Sequence, residues 1–112
     1  MFIARILGNV VTTQKVETMV GRKLLIVDPL LVDAQGGKLD ATGKTYVAVD
    51  SLGAGEGDLV LVAQGSSARM TPQTGQAPVD CVVIGIIDSV FAGEREIFRK
   101  GGESEGGRAR RR

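Results

Sequence analysis

The stretch from residue 50 to residue 61 reads DSLGAGEGDLVL, and it joins a glycine-rich turn to an apolar strand. Leu59–Ala63 is a continuous apolar run of the length expected for a strand that is buried on both faces. Gly53–Gly57 supplies the turn before it, because glycine adopts positive φ angles and allows close backbone approach at the least steric cost. The stretch holds no set of side chains that would run a reaction, so it predicts a structural element.

Four further strands are predicted on either side of this run, from apolar and β-branched residues. They are Phe2–Thr13, bent near Gly8, then Lys23–Val32, Thr45–Val49 and Val79–Val90. Pro29 cannot donate to a sheet ladder, which predicts a bulge or a sheet edge inside the second of these strands. Polar and glycine-rich segments predict loops at residues 14–21, 33–43 and 71–78.

One short helix is predicted after the strand that ends at Ala63. Ser66 or Ser67 would cap it by accepting a bond from a backbone N–H, and Pro72 would stop it. Five short strands with one helical turn favour a mainly β fold, a small closed barrel, over a βαβ layout with longer helices.

The chain has 112 residues, of which 43% are apolar, and this length predicts one globular domain. A body of this size buries only about 60 to 65% of its unfolded surface, so self-association is expected. We assign residues 1–92 to the barrel and residues 93–112 to a C-terminal extension. The extension has few apolar side chains and is expected to be disordered beyond about residue 100.

The chain contains no histidine, which excludes histidine-based triads and argues against zinc. Cys81 is the one cysteine and cannot form an internal disulfide; it is most simply a small buried apolar residue. No leader-like segment and no apolar run of about 20 residues is present, so the sequence predicts a soluble cytoplasmic protein. We predict no catalytic residues, no metal and no cofactor.

Charge is unevenly spread along the chain. Residues 1–92 hold seven Lys or Arg against nine Asp or Glu, a balance of −2, while residues 93–112 hold seven against four, a balance of +3. A nucleic-acid-binding module normally carries an excess of positive charge on the surface of its folded domain that meets the phosphates, and residues 1–92 have no such excess. Arg108–Arg112 would contact an acidic surface or nucleic acid, or would be a solvated tail with no single partner.

Three groups of residues invite functional interpretations. Gly53–Gly57 would cradle a phosphate through backbone N–H groups, but the P-loop lysine and the following helix are missing. Ser66 and Ser67, with Arg69, would suggest a nucleophile, but no base is evident nearby; a helix cap and an interface guanidinium are the simpler interpretation.

A third group is formed by carboxylates near strand ends, and it would do acid–base work only where two of them converged. Its members are Asp50, Asp80 and Asp88. Asx-type turn bonding or pairing with an arginine is the usual role of such residues.

Five segments in this order resemble the CcmL/EutN family, the pentameric vertex proteins of bacterial microcompartment shells. The segments are GNVVTTQK at 8–15, GRKLL at 21–25, VAVD with GAG at 47–55, GSSAR at 65–69, and PVD with IGIID at 78–88. The chain looks most like the carboxysome members, because Arg95–Lys100 places an aromatic residue among basic ones after the last strand and because PVD stands at 78–80. The end after Gly101 lies outside the shared pattern.

The resemblance implies an OB-like barrel that assembles five to a ring and closes the corners of a polyhedral shell, most simply a carboxysome, beside hexameric shell proteins. Head-to-tail interfaces whose rotation closes make such a ring without enzyme chemistry. We assign a set of residues to subunit contacts or to the neighbourhood of the ring axis. These are Gly53, Ala54, Gly55, Glu56, Gly57, Ser66, Ser67 and Arg69.

Two rival functions remain open. An OB-like module for single-stranded nucleic acid would need stacking aromatic residues over a positive groove, and the body offers only Phe2, Tyr46 and Phe91. A hydrolase or transferase would use Asp50 or Asp80, and loss of turnover on substitution would reveal it. We expect neither nucleic acid nor membrane as a partner.

Overall fold

The structure is a computed structural model, and it describes residues 1–13, 15–65 and 80–102. Its regular elements are eight strands and one short 3-10 helix at Glu17–Met19. The strands are β1 (Phe2–Val10), β2 (Lys23–Val32), β3 (Leu39–Ala41), β4 (Tyr46–Asp50), β5 (Leu59–Gln64), β6 (Cys81–Ile86), β7 (Ser89–Ala92) and β8 (Arg95–Arg99). In these residues no helix is long and apolar enough to cross a membrane.

Five of these strands close into a barrel. The order of the main sheet is β1-β5-β6-β4-β2-β3, and β1 also pairs with β2, so that β1, β5, β6, β4 and β2 form a closed circle. The pairing of β4 with β6 is parallel, through Val49 and Val82, and the other pairings are antiparallel. The predicted mainly β, five-stranded barrel is therefore confirmed.

The irregularities of β1 and β2 lie where the sequence predicted them, a bend in β1 and a change of partner along β2. The register of β1 against β2 shifts between Ile6 and Gly8, which leaves an extra residue in β1 and bends the strand there. Along one edge of β2 the pairing with β4 ends at Val27, and the pairing with β3 begins at Leu30. Pro29 lies at this change of partner, where its missing N–H interrupts no ladder bond on that edge.

Apolar side chains fill the barrel, and a smaller cluster lies apart from them. The main cluster consists of Ala4, Ile6, Leu25, Val27, Ala48, Ala54, Val60, Val62, Cys81 and Val83. The second cluster joins Val49, Ala63 and Val82, with Met19 and Leu24 packed against it. Both alternating faces of β5 are thus buried, as its continuous apolar run predicted, and the 3-10 helix contributes to the cover through Met19.

The prediction of one strand over Val79–Val90 is wrong. β6 ends at Ile86, and β7 begins at Ser89 as one half of a separate two-stranded sheet with β8. Ile87 makes the last bond to the barrel, from its N–H to the carbonyl of Leu59 in β5. From the next residue on the chain pairs with β8 instead, where the Asp88 carbonyl accepts the N–H of Lys100 and closes the new hairpin.

Several predictions about the second half of the chain concern residues 66–79 and 103–112, which the structure does not describe. The β7–β8 hairpin crosses the boundary that the sequence set between residues 92 and 93. The predicted helix after Ser66 or Ser67, and the loop at 71–78, lie outside the described residues, as does the chain beyond Gly102.

Candidate functional site

The loop between β4 and β5 is built around one buried carboxylate. Asp50, the last residue of β4, accepts hydrogen bonds from three successive backbone N–H groups of the loop. These belong to Leu52 at 2.9 Å, Gly53 at 3.2 Å and Ala54 at 2.9 Å. Because the Asp50 side chain is fully buried, these bonds supply the partners that its charge needs away from water. This is the Asx-type role that the sequence predicted for such a residue.

Lys23 fixes the same loop from the neighbouring strand. It pairs with Asp50 across β2 and β4, and its ammonium donates to the carbonyl of Ala54 at 2.7 Å. The distance from Lys23 Nζ to Asp50 Oδ2 is 3.9 Å, at the outer limit of an ion pair. The lysine side chain is 48% exposed, so the hydrogen bond to Ala54 is the stronger part of its role.

The second half of the loop is tied to β1. Asp58 accepts from the N–H of Gly55 through Oδ2 at 2.9 Å, and its own N–H donates to the Gly55 carbonyl at 3.0 Å. Ile6 closes the connection, because it donates to the carbonyl of Asp58 and accepts from the N–H of Gly57, both at 2.9 Å. The loop is therefore bonded at both ends to the barrel wall.

This bonding argues against the phosphate-binding interpretation of Gly53–Gly57. The N–H groups of Gly53 and Ala54 are directed to Asp50, that of Gly55 to Asp58, and that of Gly57 to Ile6. An anion cradle requires such groups to converge on a shared external acceptor. The loop instead uses four of its five amides to hold its own shape.

The loop has one buried side and one exposed side. Ala54 is completely buried and belongs to the main core cluster. Glu56 is exposed, and Leu52 is half exposed. Gly53 and Gly57 have φ angles of 88° and 90°, a backbone conformation that is strained for residues with a Cβ atom. The result is a rigid loop that presents a carboxylate and an apolar side chain outward.

Of the eight residues assigned to the site from sequence, the structure describes five, Gly53–Gly57, and brings them together in this loop. Ser66, Ser67 and Arg69 lie outside the described residues. The sequence analysis missed Lys23, whose role depends on its register opposite Asp50. The spacing of Asp50 before a Leu-Gly-Ala turn was the available signal for the carboxylate cap.

The three aspartates that the sequence offered for acid–base work differ in burial and lie at different strand ends. Asp80 and Asp88 are exposed, on either side of β6, whereas Asp50 is buried at the end of β4. Cys81 is buried in the main cluster; its burial, and to a lesser degree the charge of Asp80, raises the pKa of its thiol. Across the described ranges, no three Cys, Asp or Glu side chains are grouped so that they would hold a metal ion.

Comparison with known proteins identifies the family. The model of the family described as ethanolamine utilisation protein EutN/carboxysome matches residues 1–88. The bacterial microcompartment shell vertex protein EutN of Salmonella typhimurium is 42% identical over 100 residues, 89% of this chain and 96% of EutN. The carboxysome shell vertex protein CcmL of Gloeobacter violaceus is also 42% identical, over 89% of this chain and 95% of CcmL.

Solved structures give the same result. The structure of Gloeobacter violaceus CcmL aligns with a TM-score of 0.80 and 40% identity, covering 91% of this chain and all of CcmL. Escherichia coli EutN aligns with a TM-score of 0.73 at 41% identity, over 89% of this chain and 98% of EutN. The GrpN pentameric microcompartment shell protein from Rhodospirillum rubrum aligns with a TM-score of 0.68 at 40% identity, over 82% and 98% of the two chains.

The names of these relatives describe a structural role, as vertex proteins of a shell, and no reaction. This agrees with the prediction of a protein that is not an enzyme. Their similarity spans nearly the whole described barrel, including the loop that Asp50 organises. The chain belongs to the EutN/CcmL family of bacterial microcompartment shell vertex proteins.

Proposed function

We propose that this chain assembles into a closed ring of five copies that occupies the corners of a microcompartment shell. The observation that carries the proposal is the alignment, over 91% and 82% of this chain, with two vertex proteins of 40% identity, one of them described as pentameric. A flat layer of six-fold tiles cannot close on itself, and five-fold tiles supply the curvature. Hexameric shell proteins are the neighbours that we expect around each ring.

The surface of the barrel supports self-association. Several large apolar side chains are exposed although the interior is filled, and exposed apolar surface of this kind marks contact sites. Those on the barrel strands and the β4–β5 loop are Leu7, Leu31, Val32, Tyr46, Val47, Leu52 and Ile84. A heterologous interface, which joins different faces of identical subunits, would bury them and close the ring.

Within this ring we assign the β4–β5 loop, together with Ser66, Ser67 and Arg69, to subunit contacts or to the neighbourhood of the axis. The support is physical: Asp50 and Asp58 hold Gly53–Gly57 in one conformation. A preorganised loop loses little conformational entropy when it is buried in a contact. Glu56 is the charged group that such a loop would bring toward its neighbours.

We further propose that the compartment is a carboxysome, which encloses carbon dioxide fixation. Sequence identity does not separate the alternatives, because the EutN of Salmonella typhimurium and the CcmL of Gloeobacter violaceus are both 42% identical. The fit of the backbone favours CcmL, with a TM-score of 0.80 against 0.73 for Escherichia coli EutN.

The ring and the compartment are tested by separate experiments. Native mass spectrometry and negative-stain electron microscopy of the purified chain should give a mass of five copies and ring-shaped particles. Only monomers and dimers at micromolar concentration would refute the ring. For the compartment, the chain should restore closed shells in a cyanobacterial strain that lacks its vertex protein, and should do so better than in an ethanolamine-compartment strain with the matching deletion. The reverse preference would refute the carboxysome assignment.

A further inference from the structure

The β7–β8 hairpin is an arm that stands apart from the folded barrel. We define the arm as Ser89–Lys100. In the described part of the chain, the partly buried apolar residues packed against the two core clusters are Phe2, Met19, Leu24 and Ile86, and all of them lie outside the arm. Phe91, in the middle of β7, is 61% exposed. The largest side chain on β7 therefore projects into solvent in a single copy.

Two attachments position the arm. At its root the Lys100 N–H donates to the Asp88 carbonyl at 2.7 Å. At its tip Arg95 lies so close to the β2–β3 connection that a methyl group on Gly37 would come within 2.9 Å of the guanidinium. Between the tip and residues 33–36 lies an open cleft with a polar lining. Root and tip fix the direction of the arm, but neither covers Phe91.

A free two-stranded hairpin is only marginally stable in water, and it needs a third strand or a packing surface to persist. The sheet of β7 and β8 has just these two strands. The family model ends at residue 88, directly before the arm, but the alignments with EutN and CcmL cover 89% of this chain and therefore extend into the arm. Its stability and its purpose thus require a surface outside the barrel of its own chain.

Charge indicates which surface this is. The arm holds three Lys or Arg against two Asp or Glu, a balance of +1, and residues 1–88 hold seven against nine, a balance of −2. Because the arm stands apart from the barrel of its own chain, this attraction acts on the barrel of another copy. Contact between an arm and a different face of a neighbour is heterologous, which is the kind of contact that closes a ring.

We propose that the arm is a strap between subunits, which lies on the barrel of the adjacent copy and covers Phe91 there. The strap rests on the proposed ring, to which it adds a contact from outside the closed barrel. It makes the association of this chain depend on one aromatic side chain that lies outside the barrel. Large aromatic residues commonly dominate such contacts.

The test uses the full chain with Phe91→Ser and, as a control, Val20→Ser, which removes an apolar side chain of similar exposure, 65%, from another segment. Dissociation of the ring on dilution is followed by native mass spectrometry. Phe91→Ser should raise the concentration at half dissociation by about tenfold or more, with circular dichroism of the barrel unchanged. Val20→Ser should move it less than Phe91→Ser does.

A second variant, Phe91→Cys, tests coverage directly. Its maleimide labelling should be about tenfold slower or more in the assembled ring than in the same variant diluted to monomers, as expected for a residue at a desolvated contact; the native Cys81 is buried and gives the background. Equal labelling rates, or a ring in which both serine variants dissociate like the unsubstituted protein, would overturn the strap while leaving the ring intact. Failure of the unsubstituted protein to form any ring would overturn the proposed function and the strap with it.

Discussion

Asp50 and its cross-strand partner Lys23 bind the two backbone groups of Ala54, its N–H and its carbonyl. The Asp50 carboxylate accepts the N–H of Ala54 at 2.9 Å, and Lys23, the cross-strand partner of Asp50, donates to the Ala54 carbonyl at 2.7 Å. Ala54 is at the same time completely buried in the barrel core. The loop is thus held by a polar clamp and an apolar anchor at one residue.

Removal of the clamp should destabilise the fold. Asp50→Ala leaves three loop N–H groups without their acceptor and should lower the free energy of unfolding by about 3 kcal/mol. Asp50→Asn keeps one acceptor oxygen and should lose less. Urea unfolding at one fixed protein concentration measures both, since ring formation would make the midpoint depend on concentration.

The control for the clamp is Asp40→Ala. Asp40 is exposed, and its side chain lies 3.7 Å from Lys38, a surface pair of the kind that contributes little. Its substitution should change the free energy of unfolding by less than about 0.5 kcal/mol. Equal losses for Asp40→Ala and Asp50→Ala would show that the buried carboxylate has no special role.

Gly57 and Gly55 offer a matched test of backbone strain in the same loop. An added Cβ would meet nothing within 4 Å at either position, but only Gly57 of the two has a positive φ, of 90°. Gly57→Ala should therefore cost about 1 to 2 kcal/mol in unfolding free energy, and Gly55→Ala clearly less. Thermal unfolding of both variants measures the difference, and indistinguishable midpoints would contradict the assigned conformation.

Cys81 should make stability depend on pH in the alkaline range. Burial raises the pKa of its thiol above the usual 9.0, so the folded state holds the proton more tightly than the unfolded state does. The stabilisation is complete below pH 9 and is lost as pH rises above it, with a slope of at most about 1.4 kcal/mol per pH unit. Urea unfolding between pH 7 and pH 11 measures this slope.

Cys81→Ala separates the thiol from other groups that titrate at high pH. The variant should be less stable at pH 7, because a side chain in the main cluster is shortened. Its stability should fall less steeply above pH 9 than that of the unsubstituted protein. Parallel curves for the two proteins would mean that the thiol ionises equally easily in the folded and unfolded states.

Local pattern was sufficient to locate the barrel strands, although it joined β6 to β7. β2 was placed at its observed bounds, Lys23–Val32, because an apolar run was flanked by glycine and polar residues, and Pro29 marked the change of partner. The bend at Gly8 and the burial of Leu59–Ala63 followed from equally local signals. These features depend on side-chain period and on backbone chemistry, which the sequence shows directly.

Two other features depend on tertiary pairing and could not be found in this way. The role of Lys23 follows from its register opposite Asp50 across two strands. The division of the last predicted strand into β6 and β7 follows from the pairing of β7 with β8, which the bond of Lys100 to Asp88 closes. The charged residues of β8, Arg95–Arg99, gave no alternating apolar pattern that would predict a strand.

Arg69 provides a test of the assigned subunit contact. Its planar guanidinium suits carboxylates or carbonyls across a boundary, so Arg69→Ala should weaken the ring by about 1 to 3 kcal/mol, the cost of leaving a buried partner unpaired. Arg69→Lys keeps the charge without the paired donors and should recover only part of this loss. Native mass spectrometry across a dilution series measures ring yield, with Lys44→Ala, the loss of an exposed charge, as the control. Because a contact residue affects assembly and not the barrel itself, the urea midpoint of the dissociated monomer should stay unchanged; an unaltered ring yield would remove Arg69 from the contact.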